Sequence, residues 1–190
     1  PVGLIDKVAD EGRYEPMVLA PFSLPEFGLA DDNPIDAISF GSLDDIAPAT
    51  LIAHMSDPRL AKHMPLLNGP WDQDDVARFM AAKKAYWQRD GLWGIGDFYD
   101  GTYVGWGGFQ KEGDDWDYGL VLRPQCFGLG TAITHKALAF VRSDPRISSV
   151  TFLLPPSRTK LAALRRLGAV FEGTVSHDGA CFQKFRLEIG

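Results

Sequence analysis

Apolar and polar positions follow two patterns along the chain, and the change from one to the other separates the predicted elements. Strand-like alternation of apolar and polar residues recurs in seven segments, and apolar residues at helical spacing recur in four. The predicted strands are IDAISF (35–40), LWGIGDFY (92–99), TYVGWGGF (102–109), DWDYGLVL (115–122), ISSVTFLL (147–154), AVFEGTV (169–175) and CFQKFRLEI (181–189). The predicted helices cover 42–55, 73–89, 131–143 and 159–167.

Turn and capping residues divide these elements. Asp100-Gly101 and Gly113 make the second to fourth strands an antiparallel meander, and His177-Asp178-Gly179 predicts a turn between the last two strands. Ser42 or Asp44 is placed to cap the first helix, and Ser157 the last one, which Gly168 ends. Residues 1–33 are rich in proline, glycine and acids, so we predict an extended N-terminal arm there and a single domain over 34–190.

Composition narrows the classes of function. The 190 residues are 45% hydrophobic, and 25 acidic against 19 basic residues give a net charge of -6. This charge argues against nucleic-acid or anionic-membrane binding and mildly favours a cationic substrate. Cys126 and Cys181 lack the spacing of a disulfide framework or a zinc site, so we expect no metal and a cytoplasmic protein. No apolar run reaches the length of a membrane helix.

One glycine-containing segment carries a candidate chemistry. LRPQCFGLGTAI (122–133) leads from a strand through two glycines into a helix, where unpaired amides and the positive end of the helix dipole suit phosphate. A Walker loop would need lysine after Gly130, and a dinucleotide fingerprint would need glycine at Ile133. Taken alone, the segment could also be a tight strand-to-helix connection.

The wider segment 117–132 resembles the acetyl-CoA-binding segment of the GCN5-related N-acetyltransferases (GNAT), especially their RimJ/RimL-like branch. The family's Gln/Arg-x-x-Gly-x-Gly/Ala core corresponds to Gln125, Gly128 and Gly130. The resemblance continues from about Ile35 onward, including VGWGG (104–108) and LRRLGA (164–169). It implies an α+β fold with a mixed, mostly antiparallel sheet of about seven strands, about four helices, and fourth and fifth strands that splay apart.

The resemblance also implies acetyl-CoA as the co-substrate. Pantetheine would lie between the splayed strands as an added strand would, and the backbone amides from Cys126 to Thr131 would hold the pyrophosphate. Lys160 and Arg165-Arg166 are either a solvated helix face or ligands of the 3′-phosphate. The implied cofactor-binding residues are Leu120, Val121, Leu122, Gln125, Cys126, Phe127, Gly128, Leu129, Gly130, Thr131 and Ser157.

Two residues are candidates for catalysis, Asp117 and Ser157. Asp117 matches a position where relatives carry an acid that could accept the proton of the amine, and Asp115 lies two residues earlier on the same strand face. The competing interpretation is that both are solvated strand or turn acids. Ser157 replaces the usual asparagine, so it either bonds the pantetheine or the sulfur, or only caps the helix. A backbone amide near Leu120 or Val121 would polarise the thioester oxygen.

One departure from the family concerns the proton donor. Leu164 stands where many relatives have the tyrosine that protonates the thiolate, so solvent or another donor must serve, or the protein does not turn over. Trp106 and Trp116, on neighbouring strands, are the tryptophans expected nearest the acceptor.

Three classes of function therefore follow from the sequence. The first is an N-acetyltransferase that moves acetyl directly from acetyl-CoA to a primary amine of a small molecule or a protein N-terminus. The second is a non-catalytic acyl-CoA-binding or regulatory module, and the third is an interaction domain in which the glycine segment is only a turn. The expected partners are acetyl-CoA and an amine, without nucleic acid or membrane, and a homodimer is left open.

Overall fold

Seven strands form one mixed sheet in the computed structural model, which describes residues 35–90 and 93–190; the predicted arm at 1–33 lies outside this part. The sheet order is β1-β2-β3-β4-β5-β7-β6, and every neighbouring pair is antiparallel except β4 and β5. The predicted α+β architecture is confirmed. The strands are β1 Ile38–Ser42, β2 Trp93–Tyr99, β3 Thr102–Glu112, β4 Asp115–Leu122, β5 Ser149–Leu154, β6 Val170–His177 and β7 Ala180–Glu188.

Five α-helices and two 3-10 segments complete the described part of the chain. The helices are α1 Pro48–Met55, α2 Pro58–Ala61, α3 Gln73–Asp90, α4 Gly130–Val141 and α5 Ala162–Arg166; the 3-10 segments are Leu43–Asp45 and Pro124–Leu129.

Two helix predictions were wrong in their bounds. The predicted helix at 42–55 divides, because Ser42 caps only the 3-10 turn and Pro48 starts α1 afresh. The predicted cap at Ser157 is also wrong: α5 begins at Ala162, and Leu161 occupies its cap position without a side-chain hydrogen bond. The short helix α2, which begins at Pro58, was not predicted.

Two tight hairpins follow the predicted turn chemistry. Asp100 and Gly101 join β2 to β3 with φ angles of 48° and 72°, and Asp178 and Gly179 join β6 to β7 with φ angles of 47° and 81°. Positive φ at both central residues is the geometry of the type I′ turn, which matches the twist of the flanking strands.

Helices cover both faces of the sheet. On the face that we call the α4 face, Phe109, Tyr118 and Phe185 pack with buried residues of α4 and partly buried residues of α5. On the opposite α3 face, Trp106 packs with residues of α1, α2 and α3, including Leu51. The sheet is therefore apolar on both sides, as a central layer requires.

Glycine lets β3 approach one end of β4 closely. A Cβ atom at Gly107 would collide with the carbonyl oxygen of Gly119 and lie 3.2 Å from Cα of Leu120. A Cβ atom at Gly105 would lie 2.6 Å from the carbonyl oxygen of Val121. Side chains at these two positions would push β4 away from β3, so the glycines set where residues 119–121 lie.

Candidate active site

The two parallel strands β4 and β5 meet at one point and then separate. Their single paired position in the described chain is Asp117 opposite Thr151, although β4 continues to Leu122 and β5 to Leu154. The expected splay of the fourth and fifth strands is confirmed. Backbone groups of β4 beyond Asp117 that point toward β5 therefore have no strand partner on that side.

A cavity of about 350 Å³ fills the gap between the two strands, and we call it the inter-strand cavity. Its volume lies within the usual range of small-molecule sites. Because its wall draws on both faces of the sheet, the cavity passes through the sheet. The α4-face wall includes Tyr118, Leu120, Thr134, Phe152 and Leu164, and the α3-face wall includes Leu60, His63, Met64, Val121 and Leu153.

The glycine segment ends at one edge of this cavity. Pro124–Leu129 winds as a 3-10 segment and α4 follows from Gly130, with no side chain capping its first amides. A Cβ atom at Gly128 would meet no atom within 4 Å, so open space lies beside this backbone. Uncapped amides beside open space at a helix N-terminus can hold an anion.

Only some of the residues predicted to bind the cofactor line the cavity. Cys126 and Leu129 are buried beneath the glycine segment, and the N–H of Cys126 already donates to the carbonyl oxygen of Arg123 at 2.7 Å. Gln125 and Gly128 are exposed and stand outside the cavity wall. The predicted residues that do form the wall are Leu120, Val121, Leu122, Phe127, Gly130 and Thr131.

Two cations lie on the rim of the cavity. Arg158 and Lys160 both line it, and both are exposed to solvent. Lys160 had been considered for the 3′-phosphate, whereas Arg158 was missed. Arg165 and Arg166, the other candidates, do not line the cavity.

Asp117 lies at the apex of the gap, where the strands still pair. The hydroxyl of Thr151 donates a hydrogen bond of 3.2 Å to its carboxylate. Burial raises the pKa of Asp117 to about 6, and the hydrogen bond from Thr151 opposes this rise. Asp117 itself is not part of the cavity wall; it is two residues before Gly119, which does line the cavity, and so lies on the same face of β4. A carboxylate with a pKa near neutrality at this place can exchange a proton with a group in the cavity.

Asp115 has a different environment, although it is only two residues away. Its carboxylate accepts from Lys184 at 2.6 Å and from Arg186 at 2.8 Å, and these cations also pair with Glu172. The hydrogen bond from Lys184 is the largest cause of its lowered pKa. Asp115 is therefore held ionised within a four-residue charge network, and its lowered pKa and occupied oxygens make it a weak base.

Of the two residues considered for proton or sulfur contacts, Leu164 lines the cavity and Ser157 does not. The Ser157 hydroxyl donates to the carbonyl oxygen of Lys62 at 3.0 Å, which ties the connection after β5 to the end of α2, and Ser157 is not in the cavity wall. Leu164 does line the cavity, so the side chain there is apolar and cannot donate a proton.

Neither tryptophan that we expected near the acceptor lines the cavity. Trp106 is buried in the α3-face core and Trp116 in the α4-face core, each with 6% of its surface exposed. The strand pairing explains this: Trp106 lies opposite Val121, and Trp116 lies opposite Lys111, five residues after Trp106 on β3. Because successive side chains of a strand alternate between the two faces, this odd separation places the two tryptophans on opposite faces of the sheet.

Sequence reasoning missed His63 and Thr151 as residues of the site. His63 lines the cavity and its ring packs edge-on to Phe127, with 5.7 Å between ring centroids. Both residues reach the site through tertiary contacts. A histidine after an unpredicted four-residue helix and a threonine inside an apolar strand carry no local signal for function.

A third carboxylate, Asp97 of β2, is buried without a partner. Only 3% of its surface is exposed, and its Oδ2 atom has no hydrogen-bond partner among the described residues. Burial raises the pKa of Asp97 to about 7. It lines a separate cavity of about 20 Å³ on the α4 face, beside Phe109 and Tyr118.

The architecture matches solved acetyltransferase structures. An enzyme from Salmonella typhimurium that modifies the N-terminal serine of ribosomal protein L7/L12 superposes with a TM-score of 0.65, at 14% identity over 83% of this chain and 98% of that one. The aminoglycoside acetyltransferase AAC(6′)-Ib in complex with coenzyme A gives 0.63, at 14% identity over 80% and 94%. An acetyltransferase from Agrobacterium tumefaciens gives 0.60, at 16% identity over 80% and 90%.

The fold is that of acetyltransferases. At these identities the likeness concerns the acetyltransferase fold and not the substrate. No protein-family model matches the sequence, and no curated protein is detectably similar to it.

Residues 35–90 and 93–190 contain neither a candidate metal site nor a disulfide. There, no group of three or more His, Cys, Asp or Glu side chains is arranged to hold a metal ion, and Cys126 and Cys181 are both free. None of the helices described has the length and apolarity needed to cross a bilayer.

Proposed function

We propose that the protein is an acetyl-CoA-dependent N-acetyltransferase that moves an acetyl group directly to a primary amine. The observation that carries this proposal is the inter-strand cavity, which runs through the sheet beside an uncapped helix N-terminus and ends near a buried carboxylate. A passage through the sheet allows a donor to enter from the α4 face and an acceptor from the α3 face. Direct transfer requires the two reactants to meet in this way.

The residues at the α4-face end fit coenzyme A. Unpaired strand edges suit the pantetheine amides, and the open backbone around Gly128 with the first amides of α4 suits the pyrophosphate. Arg158 and Lys160 supply positive charge on the rim for further phosphate groups. When bound, acetyl-CoA would supply an activated acetyl thioester.

The residues at the gap would orient the reactants and manage the proton. A backbone amide of Leu120 or Val121 would polarise the thioester carbonyl oxygen, and apolar walls such as Phe152 and Leu164 exclude water. Asp117, with its pKa raised to about 6, would be mostly ionised near pH 7 and could take the proton of the entering ammonium group, directly or through one water.

The first test is calorimetric titration of acetyl-CoA into the purified protein. We expect saturable binding that the Gly128→Asp variant abolishes, because a carboxylate would fill the open space and repel phosphate. Gly190→Asp is the matched control: it adds the same charge at the chain end, where a Cβ atom also meets nothing. No binding by the wild-type protein, or equal binding by the Gly128→Asp variant, would overturn the proposal.

A second candidate is a non-catalytic acyl-CoA-binding or regulatory module. Leu164 favours it, because an apolar side chain in the wall cannot protonate a leaving thiolate. Tight acetyl-CoA binding without transfer to any amine of a broad panel would support this candidate. Turnover of one amine would exclude it.

The more specific parts of the proposal, namely the branch, the location and the acceptor, rest on the sequence. We place the protein in the RimJ/RimL-like branch and in the cytoplasm, with a small molecule or a protein N-terminus as the acceptor and no role for nucleic acid or membrane. The glycine segment and the net charge of -6 support these assignments. A homodimer stays open, and light scattering on the purified protein would decide it.

A further inference from the structure

The α3-face end of the inter-strand cavity is apolar. Its wall there comes from the segment after α2 and from the facing strands, and includes Met64, Pro65, Leu66, Val121, Leu153 and Phe182. Leu66 is 41% exposed, although a large aliphatic side chain gains from burial. An exposed apolar side chain at a cavity mouth is a typical contact for an apolar ligand.

Carboxylates are missing from the wall. Over the described residues, no Asp or Glu lines the inter-strand cavity, whereas Arg158, Lys160 and His63 do. A polycation would have to leave water without gaining partners for its ammonium groups.

The ion-paired acids of β4 and β6 do not change that balance. Asp115 and Glu172 share their charges with Lys184 and Arg186 at distances of 2.6 to 3.5 Å, so two negative and two positive charges cancel. Asp117 is the remaining buried carboxylate of β4 beside the gap. One carboxylate suits one ammonium group.

We infer that the acceptor is a primary amine with a single positive charge, carried on an apolar aliphatic or aromatic group. This inference rests on the proposed acetyltransferase function. The amine enters at the α3 face, its apolar part contacts Met64, Leu66 and Phe182, and its ammonium group faces Asp117. The wall thus narrows the mild preference for a cationic acceptor, which the net charge of the whole chain suggests, to an amine with one positive charge.

The test compares kcat/KM for two classes of amine with acetyl-CoA. Phenethylamine and hexylamine represent apolar monoamines, and spermidine and kanamycin represent polycations. We expect the monoamines to be preferred by about 10- to 100-fold, the range that an apolar pocket can discriminate. Preference for spermidine or kanamycin would overturn the inference. A peptide that begins with phenylalanine presents the same apolar group at an N-terminus. Comparing its kcat/KM with that of phenethylamine distinguishes a free amine from a protein N-terminus as the acceptor.

A matched pair of variants connects this preference to the wall. Leu66→Glu places a carboxylate at the mouth and should lower the ratio of phenethylamine to spermidine kcat/KM by about 10-fold or more. Val170→Glu makes the same kind of change at an exposed aliphatic residue of β6 that does not line the cavity. Its ratio should equal that of the wild type. An unchanged ratio in Leu66→Glu would contradict the inference.

A binding measurement separates failure of this inference from failure of the proposed function. Phenethylamine and spermidine are titrated into protein saturated with coenzyme A, which carries no acetyl group, so no turnover is needed. Tighter phenethylamine binding supports the inference even if the protein is non-catalytic. Tighter spermidine binding, or binding of neither amine, overturns it while leaving acetyl-CoA binding intact. Absence of acetyl-CoA binding instead refutes the proposed function.

Discussion

The two ends of β4 differ in what lies between them and β5. At the first end, Asp117 pairs with Thr151, and Asp115 is held by cations of β7. At the second end, Gly119 to Leu122 face the inter-strand cavity, and the strand has no bond to β5 there. One strand of eight residues therefore contains both a closed, charged end and an open, apolar end.

This difference shows how a sheet can keep a stable gap. Along its whole length β4 pairs with β3, and β5 pairs with β7 along its own length, so each strand is anchored on its outer side. Hydrogen bonds and ion pairs at the closed end hold the apex of the gap. Unpaired amides at the open end are costly to bury, and a ligand that supplies partners recovers that cost.

Asp117→Asn tests the boundary between the two ends and should have the largest effect. We expect kcat at neutral pH to fall by about 100-fold or more, because an amide cannot accept the proton. In the wild type kcat should rise with pH through about 6, where Asp117 ionises, and the variant should lack this limb. The measurements are the pH-rate profile of kcat and the affinity for acetyl-CoA. The affinity should change little.

Asp114→Asn is the control for this variant, since it makes the same change at an exposed residue of the turn before β4. Its profile should match the wild type. If Asp117→Asn retains wild-type kcat, Asp117 has no part in the mechanism and the closed end is only structural.

Asp97→Asn extends the comparison to a buried carboxylate whose Oδ2 atom has no hydrogen-bond partner among the described residues. Its raised pKa means that its stabilising contribution is full below about pH 4 and is lost as the pH rises through about 7. We expect the variant to be more stable than the wild type by on the order of 2 kcal/mol above neutral pH, with the difference vanishing toward about pH 4. Urea unfolding across this range measures it, and a difference independent of pH would refute the explanation.

Asp115→Asn weakens the closed end itself. The ion pairs with Lys184 and Arg186 are partly exposed, so we expect a loss of only about 1 kcal/mol in the free energy of unfolding. Because the pKa of Asp115 is lowered in the folded protein, this contribution is present above its ordinary pKa and disappears as the pH falls through the folded value. Equal stability of variant and wild type near neutral pH would show that the network contributes nothing.

Thr151→Val should have the smallest effect, on the pKa of Asp117 alone. The hydroxyl of Thr151 favours the ionised carboxylate, so its removal should move the acid limb of kcat upward by up to about one pH unit. Thr151→Ser keeps the hydroxyl and should restore the wild-type profile. A limb that stays in place in Thr151→Val would mean that the hydrogen bond does not tune Asp117.

Local patterns in the sequence were sufficient for most of the fold. All seven strands, the two glycine hairpins and the helix after the glycine segment follow from alternation and turn chemistry, which act between near neighbours. Predictions failed where a few residues decide a boundary: Pro48 divides one predicted helix, and the last helix begins five residues after Ser157. The splay of the strands was expected from the resemblance and not from any pattern.

The sequence by itself determined the strand order of the meander, the glycine segment and the position of Asp117 in a strand, because these depend on contacts close along the chain. Only the tertiary structure decided that Thr151 bonds to Asp117, that Lys184 and Arg186 neutralise Asp115, and that the α3-face end of the inter-strand cavity is apolar. Those properties depend on burial and on distances between residues far apart in the chain. Neither net charge nor spacing contains that information.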